Sequence, residues 1–565
     1  MKRPQLSELT LREKIGQTVC VRENLMARIP DLVEHLKKYP YGCMWAMGNQ
    51  LNDNENMSEG TDKSGKATGK AYRETAKQLM AATRVPILMA GNTESGFSSV
   101  FPELSHNMGQ MAVAATDDEE LIYEQAAAIA REMRASGVQW KWSPNVDTDK
   151  MCSTGIGGRS YSDDIERLIR YSVACVRGTQ SEGVAVTVKH FPGKDNIEYR
   201  DSHVAPAVNR QSRAWWDKTN GYIYRELFKR AEPWGIMPGH QGLPCVDDRR
   251  MSDGNFIPTT LSHKIITGLL KGELGYKGVV ITDAIGMAAL ATLMPENDLY
   301  VELLLAGNDM ILGPTEQATD NYIDVVEQAV LDGRIPESRI DDACRRVLNM
   351  KEKMGMFRDD FGLDLEITLE LTAKTREIEH KLAQKAITLV RGEDRLPLQA
   401  DKIKKVLLAP VAYWEEFNED IRYTGQLLEQ RGIQVDYAYP EQLETWKLSK
   451  DQDWSKYDMI LMGTYLRGQR PAGVNGFNHH HHRFMQFFQT RCNDRIVGVA
   501  YGSPHVYYNN FSSMGKAFIC AYDYTKELQE ATVAALFGEI PFRGKCPFRL
   551  VPKEALLDII EEPQD

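Results

Sequence analysis

Asp283 is the residue whose setting in the sequence most favours covalent chemistry. It closes the apolar segment GVVITD (278–283), which is typical of a buried strand, and a turn of small residues follows it. A strand would hold the carboxylate in place, and an ionised carboxylate so held can bond to an anomeric carbon and later leave. An aspartate that caps the next helix would have the same neighbours, so this segment alone leaves both interpretations open.

A second pair, Asp201 and His203, has the spacing of a proton-transfer dyad. Residues i and i+2 of an extended segment face the same side, so Asp201 can accept a hydrogen bond from one ring nitrogen of His203. The adjacent negative charge would fix the tautomer and favour the protonated ring, which could protonate a leaving oxygen and later deprotonate water. An exposed Asp–His pair in a loop is the alternative interpretation.

Polar residues follow almost every apolar segment in the first part of the chain. The segments are short and continuous, and they cover 41–48, 85–91, 138–144, 184–191, 234–239, 278–283 and 308–313. Such runs are typical of parallel strands buried on both faces, and the helical patterns between them, such as 119–137 and 261–275, predict a (β/α)8 barrel of the TIM type. One mouth of the barrel would then collect the strand-end residues Asn92, Asp147, Lys189, His190, His240 and Asp283.

The rest of the chain predicts a second, smaller α/β domain. Residues 1–355 form the predicted barrel, and 356–378 lose the strand–helix rhythm and are interpreted as a linker. The predicted second domain covers 379–565 and begins with a helix over 380–392. Its apolar segments alternate with helical ones, which predicts an α/β sandwich with an open sheet; they are 404–410, 457–463, 495–504 and 516–522.

The net charge, the apolar runs and the cysteine pattern indicate which partners and which cell compartment suit this chain. A formal net charge of −11 and a pI near 5.7 disfavour nucleic acid and anionic membranes, and the N-terminus has no apolar stretch of signal-peptide length. No apolar run of about 18 residues occurs, so no membrane span is predicted. Nine scattered cysteines without CxxC spacing predict free thiols in a reducing compartment, and hence the cytoplasm.

Four motifs in the first domain, in this order and spacing, resemble glycoside hydrolase family 3. They are WSPNVD (142–147), GGRSYSDD (157–164), KHFPG (189–193) with DSH (201–203), and GYKGVVITDAIGM (275–287). The resemblance spans most of 8–355 and continues into 382–398. It implies that Asp283 is the nucleophile, and its β-N-acetylglucosaminidase subgroup implies that His203, held by Asp201, is the acid/base.

The same resemblance implies a sugar site around these residues. The family's KH pair binds the non-reducing sugar, and its arginine in the GGRSY motif binds substrate. Further residues near the predicted mouth are added as candidates for the pocket. The predicted sugar-binding residues are then Lys189, His190, Arg159, Asn92, Asp147, Met237 and His240. A core histidine with structural hydrogen bonds is an equal interpretation for His240.

Two departures from the family put the sugar and the leaving group in question. KHFPG continues with Lys194 and Asp195 where the family usually has His-Gly, and the loop to DSH is altered. Upstream, Asn92 stands where cell-wall-recycling relatives carry a sugar-binding aspartate; an amide can exchange hydrogen bonds but brings no charge.

The sequence thus predicts a retaining exo-β-glycosidase acting on a small carbohydrate, with a β-N-acetylhexosaminidase as the first hypothesis. A phosphorylase, a broad-specificity β-glucosidase and an inactive sugar-binding protein are the alternatives, and a homodimer is left open. This chemistry needs no metal or organic cofactor. The segment 60–67 approaches P-loop spacing but follows no strand, and 467–484, with His479–His482, is interpreted as a loop and not as a metal site.

Overall fold

Eight short parallel strands form a closed ring in the first part of the chain. The structure is a computed structural model, and the residues it describes are 2–22, 32–46, 68–94, 96, 101, 103–148, 159–195, 197–198, 200–313, 319–358, 361, 365–412, 417–444, 453–466 and 477–550. The ring strands are β1 Val19–Arg22, β2 Cys43–Trp45, β3 Leu88–Gly91, β4 Trp140–Lys141, β5 Ala185–Phe191, β6 Gly235–Pro238, β7 Val279–Val280 and β8 Ile311–Leu312. Neighbours in chain order pair, β1 pairs with β8, and a bridge between Ile281 and Met310 joins β7 to β8. The predicted (β/α)8 barrel is therefore confirmed.

Helices cover the outside of this ring. They are α1 Leu11–Gly16, α2 Leu32–Lys38, α3 Gly69–Ala82, α4 Gln110–Ala114, α5 Glu119–Ala135, α6 Ile165–Ser181, α7 Arg213–Lys218, α8 Asn220–Arg230, the π-helix α9 Lys264–Glu273, α10 Ala288–Ala291, α11 Glu296–Ala306, α12 Thr319–Leu331 and α13 Glu337–Lys353. Single 3₁₀ turns lie at Leu6–Glu8 and Thr259–Leu261. Asp118 and Asp164 cap α5 and α6 by accepting backbone N–H groups of the first turn.

A buried lysine closes the amino-terminal end of the barrel. The Nζ of Lys351, on α13, donates to Gln17 Oε1 at 2.6 Å, to Gly42 O at 3.0 Å and to Pro86 O at 2.7 Å. These acceptors lie just before β1, β2 and β3. Burial lowers the pKa of Lys351 to about 7. With this end closed, the carboxyl ends of the strands are left to form the site.

The second domain is built on a six-stranded sheet in the order β11-β10-β12-β13-β14-β9. Its strands are β9 Thr388–Arg391, β10 Lys405–Ala412, β11 Gln434–Tyr437, β12 Met459–Tyr465, β13 Ile496–Ala500 and β14 Ala517–Cys520. Its helices are α14 Leu369–Ala386, α15 Phe417–Glu429, α16 Pro440–Glu444, α17 His479–Cys492 and α18 Lys526–Leu536, with shorter turns at Ala400–Lys402, Asn493–Arg495 and Tyr507–Phe511. All pairs are parallel except β14 with β9.

Two sequence predictions in this domain are wrong. The helix predicted over 380–392 ends at Ala386, and Thr388–Arg391 instead forms the antiparallel edge strand, because its β-branched and apolar residues suit the edge of the sheet beside β14. The interpretation of 467–484 as a loop fails at His479–His482, which form the first turn of α17. There the side chain of Asn478 caps the helix by accepting the N–H of His481, and the backbone N–H of Asn478 donates to Nδ1 of His481.

Helix α14 joins the two domains. Its residue Glu379 is 1% exposed and accepts hydrogen bonds from Asn107 Nδ2 (2.8 Å), Met108 N (2.9 Å) and Gln125 Nε2 (2.8 Å), all in the barrel domain. Burial raises the pKa of Glu379 to about 7, although the three hydrogen-bond donors favour its ionised form. The helix begins inside the predicted linker 356–378, and the domain bounds 1–355 and 379–565 stay predictions.

Two further sequence expectations concern the whole chain. The P-loop-like segment 60–67 lies outside the described residues. None of the described helices has both the length and the apolar character that crossing a bilayer requires.

Candidate active site

Asp283 lies at the carboxyl end of β7, on the barrel mouth. Its backbone N–H donates to Pro238 O at 3.2 Å, which ties it to β6, and its Oδ1 accepts the N–H of Ala284 at 2.8 Å. The Oδ2 atom lies 3.8 Å from Nε2 of His190. Burial opposes ionisation, but the nearby imidazole of His190 and the N–H of Ala284 hold the pKa of Asp283 below its usual value. The carboxylate is therefore ionised and oriented.

His190 is oriented by Asp147. Its Nδ1 lies 2.8 Å from Oδ2 of Asp147, and its backbone N–H donates to the same oxygen at 3.2 Å. The register between β5 and β6 shifts between Lys189 and Phe191, so His190 stands out of the ladder at the mouth. Asp147 is 2% exposed, and its other oxygen accepts the N–H of Lys194. This carboxylate thus fixes both a ring and the start of the following loop.

Asp201 and His203 form the dyad that their spacing predicts. Nδ1 of His203 lies 2.7 Å from Oδ1 of Asp201, which also accepts the backbone N–H of His203 at 2.9 Å. Asp201 Oδ2 is buried, and among the described residues it has no hydrogen-bond partner. Burial opposes ionisation of Asp201, but the bonds from His203 hold its pKa below the usual value. The arrangement leaves Nε2 of His203 for proton exchange.

The loop that carries the dyad is attached by its backbone to the segment after Asp283. The N–H groups of Ala288 and Ala289, at the start of α10, donate to His203 O at 3.1 Å and to Ser202 O at 3.2 Å. The unpaired N–H groups of a helix start are the natural partners for such carbonyls. The dyad is therefore held beside the nucleophile's own turn.

A buried charge cluster lies beside these residues. Lys189 Nζ donates to Asn92 Oδ1 at 2.8 Å and lies 2.9 Å from Oε1 of Glu94, which also accepts from Arg159 at 2.6 Å. Burial lowers the pKa of Lys189, and Glu94 opposes that effect. Burial opposes ionisation of Glu94, yet the two cations hold its pKa well below the usual value.

His240 is held as a neutral ring. It is 1% exposed, its Nε2 lies 3.0 Å from the carbonyl of Ala284, and its Nδ1 lies 3.0 Å from Oγ1 of Thr260. Only a ring nitrogen that carries a proton can bond to a carbonyl, so Nε2 donates and Nδ1 accepts. Burial lowers the pKa of His240, which agrees with this tautomer. His240 thereby supports the turn after Asp283.

These residues surround one pocket of about 510 Å³. Seven of the predicted residues line the described part of this pocket: Arg159, Asp147, His190, Asp201, His203, His240 and Asp283. Lys189 and Asn92 stand behind it in the charge cluster, and Met237 packs into the apolar core of the barrel at 2% exposure. No three metal-ligating side chains are grouped anywhere in the described part of the chain.

Sequence reasoning missed several residues of this site, among them the following four. Lys194, Arg200 and Met287 line the pocket, and Glu94 anchors the charge cluster. Only Glu94 had a usable signal, since it follows Asn92 by two residues at the same strand end. The others lie on loops whose course the sequence does not define.

Comparisons with known proteins agree with the geometry. Residues 10–350 match the profile of the glycosyl hydrolase family 3 N-terminal domain. A β-N-acetylglucosaminidase/β-glucosidase of Cellulomonas fimi is 30% identical over 347 residues, which are 59% of this chain and 60% of that protein. A β-hexosaminidase A of Pseudoalteromonas piscicida is 26% identical over 66% of this chain and 62% of its own length. The chain thus spans about three fifths of these two relatives.

Solved structures extend the likeness to both domains. A family 3 β-N-acetylglucosaminidase from Paenibacillus superposes with a TM-score of 0.79 at 26% identity, covering 96% of this chain and 99% of that one. A β-glucoside phosphorylase superposes with a TM-score of 0.80 at 23% identity, covering 96% and 94%, and this likeness concerns the fold alone.

Proposed function

The chain belongs to glycoside hydrolase family 3, and on that premise we propose that it is a retaining, exo-acting β-glycosidase that releases terminal β-linked N-acetylglucosamine. The observation that carries this proposal is the ionised Asp283 in one pocket with the Asp201–His203 dyad. A nucleophile and a proton donor on one pocket are the two groups that retaining hydrolysis needs.

In the first step, Asp283 attacks the anomeric carbon and forms a covalent glycosyl-enzyme. The bond from that carbon to the leaving oxygen breaks, and Nε2 of His203 supplies the proton that the leaving oxygen takes up. In the second step, Nε2 takes a proton from water, the hydroxide oxygen bonds to the anomeric carbon, and Asp283 leaves as a carboxylate. Asp201 stabilises the charged ring between the steps, because its carboxylate faces Nδ1 at 2.7 Å.

The preference for a terminal amino sugar is supported by the names of the relatives. The Cellulomonas and Pseudoalteromonas proteins and the Paenibacillus structure are all named for N-acetylglucosamine or hexosamine release. The Cellulomonas name also includes β-glucosidase, so a β-glucoside is the first competing substrate. Lys189, Glu94 and Arg159 carry hydrogen-bonding groups beside the catalytic pocket, which fits recognition of the hydroxyl groups of a terminal sugar.

A second candidate, a phosphorylase, is favoured by two cations near the proposed acid/base. Lys194 and Arg200 line the same pocket as His203. A cationic or neutral surrounding repels an incoming phosphate less than a second carboxylate would. Phosphate would then replace water in the second step, and the product would be a sugar 1-phosphate.

The test is turnover of p-nitrophenyl β-N-acetylglucosaminide and β-glucoside with and without inorganic phosphate. The enzymes are the wild type, Asp283→Ala, His203→Ala and, as a matched control, His263→Ala, which alters an exposed histidine outside the pocket. We expect loss of turnover in Asp283→Ala, slower turnover in His203→Ala because its proton donor is missing, and no change in the control.

Each outcome selects one function. A β-configured sugar as the first product supports retaining hydrolysis, and a sugar 1-phosphate formed only with phosphate supports the phosphorylase. Binding of either sugar without turnover by the wild type would contradict both and indicate a sugar-binding protein. Faster cleavage of the glucoside would correct the sugar and leave the mechanism intact.

A further inference from the structure

Three carboxylates recur at a spacing of three residues in the dyad loop, the segment 194–210 that carries the dyad. They are Asp195, Glu198 and Asp201. Each accepts the backbone N–H of the residue two positions later, which is Ile197 at 3.3 Å, Arg200 at 3.0 Å and His203 at 2.9 Å. A side chain bonded in this way turns its own backbone. The outgoing arm of the loop is therefore shaped by its own carboxylates.

The first two carboxylates also join the outgoing arm to the returning arm. Oδ2 of Asp195 accepts the N–H of Arg210 at 3.0 Å, and Oε2 of Glu198 accepts the N–H of Val208 at 3.0 Å. Asp201 differs, because its buried Oδ2 has no hydrogen-bond partner among the described residues. Of the three carboxylates, Glu198 thus makes the cross-link that lies closer to the dyad.

The returning arm is fixed to the barrel. Val208 forms a parallel bridge with Gly242, which follows the end of β6 at Pro238. The N–H of Asn209 donates to Gly242 O at 2.8 Å, and the N–H of Gly242 donates to Ala207 O at 3.0 Å. The bond from Val208 to Glu198 therefore connects the outgoing arm to a part of the loop that the barrel holds.

Glu198 also holds the side chain of Arg200, the residue before Asp201. Its Oε1 accepts Nε of Arg200 at 2.9 Å, and its Oε2 accepts Nη2. Burial opposes ionisation of Glu198, but the bonds from Arg200 and Val208 hold its pKa below the usual value. Arg200 lines the catalytic pocket, whereas the described lining does not include Glu198. Glu198 therefore acts on the pocket through its neighbours.

We propose that Glu198 is a positioning residue for the acid/base, because it joins Arg200 to the returning arm and so holds His203 at the leaving oxygen. This inference rests on the proposed function and deepens it. A displacement of about 1 Å in a reacting group can cost about 100-fold in rate. Proton donation matters most for a poor leaving group. Loss of Glu198 should therefore slow glycosides with poor leaving groups and spare those with good ones.

A second carboxylate in the barrel shows what an aspartate can do at this position. Asp247 accepts the backbone N–H of Arg249 at 3.4 Å, its Nε at 2.9 Å and its Nη2 at 2.6 Å, across the same two-residue separation. An aspartate at 198 can therefore still hold Arg200, but it is one methylene shorter and should lose Val208. Glu198→Asp thus isolates the cross-link between the arms.

The glutamine variant removes more. Both oxygens of Glu198 accept hydrogen bonds, so the amide nitrogen of Glu198→Gln must face N–H donors on one side. Asp247→Asn is the matched control, because it makes the same change in the same kind of Arg pair, and Asp247 is not part of the described pocket lining.

The test compares a poor leaving group with a good one. The kcat/KM values are measured for the β-N-acetylglucosaminides and β-glucosides of phenol and of 2,4-dinitrophenol, since kcat/KM reports the step in which the leaving oxygen departs. The proteins are the wild type, Glu198→Gln, Glu198→Asp and Asp247→Asn. Hydrogen–deuterium exchange of peptides that cover 194–210 is followed in parallel.

We expect Glu198→Gln to lower kcat/KM about 10- to 100-fold on the phenyl glycoside and to leave the dinitrophenyl glycoside nearly unchanged. Exchange in the dyad loop should be faster than in the wild type. Glu198→Asp should show a smaller loss with the same selectivity, and it serves as the test if the glutamine variant does not fold. Asp247→Asn should match the wild type on both glycosides.

Turnover and exchange separate this inference from the proposed function. Equal losses on both leaving groups would indicate a general structural role and overturn the positioning role alone, as would turnover and exchange equal to those of the wild type. A wild type that cleaves none of the four glycosides would reject the proposed function, and with it the role in proton donation. Exchange would then still decide whether Glu198 holds the loop.

Discussion

Replacing Glu379 with glutamine should remove a pH-dependent loss of stability. This carboxyl group is 1% exposed at the contact between α14 and the barrel domain, and burial raises its pKa from 4.5 to about 7. Between those two values the folded protein keeps a proton that the unfolded chain has released. The resulting stabilisation is complete below about pH 4.5 and is lost as the pH rises through about 7.

The size of the effect follows from the same pKa values. The gap between 4.5 and about 7 corresponds to about 3 kcal/mol of unfolding free energy. A glutamine cannot ionise, so the variant should be more stable than the wild type by up to about 3 kcal/mol at pH 8 and nearly equal to it at pH 4. The glutamine keeps one oxygen as the acceptor for Asn107 and Gln125, but its amide nitrogen then faces the N–H of Met108, and that lost hydrogen bond reduces the gain by about 1 kcal/mol.

The assay is urea unfolding of the wild type and Glu379→Gln from pH 4 to 8.5, followed by tryptophan fluorescence and circular dichroism. At each pH the unfolding free energy of the wild type is subtracted from that of the variant, because other titrating groups contribute equally to both. Glu132→Gln controls for the loss of a buried carboxylate elsewhere. Parallel stability curves for the wild type and Glu379→Gln, or a variant that weakens further above pH 7, would refute the reasoning.

Three further outcomes can be checked with single variants or conditions. Asp201→Asn should lower kcat about 10- to 100-fold on poor leaving groups and little on dinitrophenyl glycosides, because it removes the charge behind His203; equal losses on both would indicate a structural role. Lys351→Met should lower the free energy of unfolding by about 3 kcal/mol in urea titrations, because three buried acceptors lose their donor, and a neutral result would contradict that role. With a dinitrophenyl leaving group, kcat/KM should stay level from pH 7 to about 4.5, since the pKa of Asp283 lies below 3.8; a decline near pH 6 would contradict this ionisation state.

The barrel could be predicted because its information is local and repeated. Each apolar run is continuous, and each ends in polar residues, so strand direction and strand end are both visible in the sequence. The Asp201–His203 pairing is equally local, since two residues of separation decide it. Strand β1 gave no such signal, because VCVR is four residues long and ends in a charge.

The parts that sequence reasoning missed depend on contacts between distant segments. Glu94 acquires its setting from Lys189, on β5, and from Arg159, 65 residues away along the chain. Thr388–Arg391 continues a helical pattern and becomes a strand only because β14 offers an open edge. Such outcomes follow from tertiary packing, which overrides local propensity.

The attachment of the dyad loop to the start of α10 has a consequence for the catalytic cycle. The carbonyl groups of Ser202 and His203 accept hydrogen bonds from the segment after Asp283. These two bonds therefore help to set the separation between the proton donor and the nucleophile. Two such backbone hydrogen bonds contribute about 1–3 kcal/mol to holding the dyad beside the nucleophile. Substitutions that weaken these two bonds should therefore alter turnover without touching the nucleophile itself.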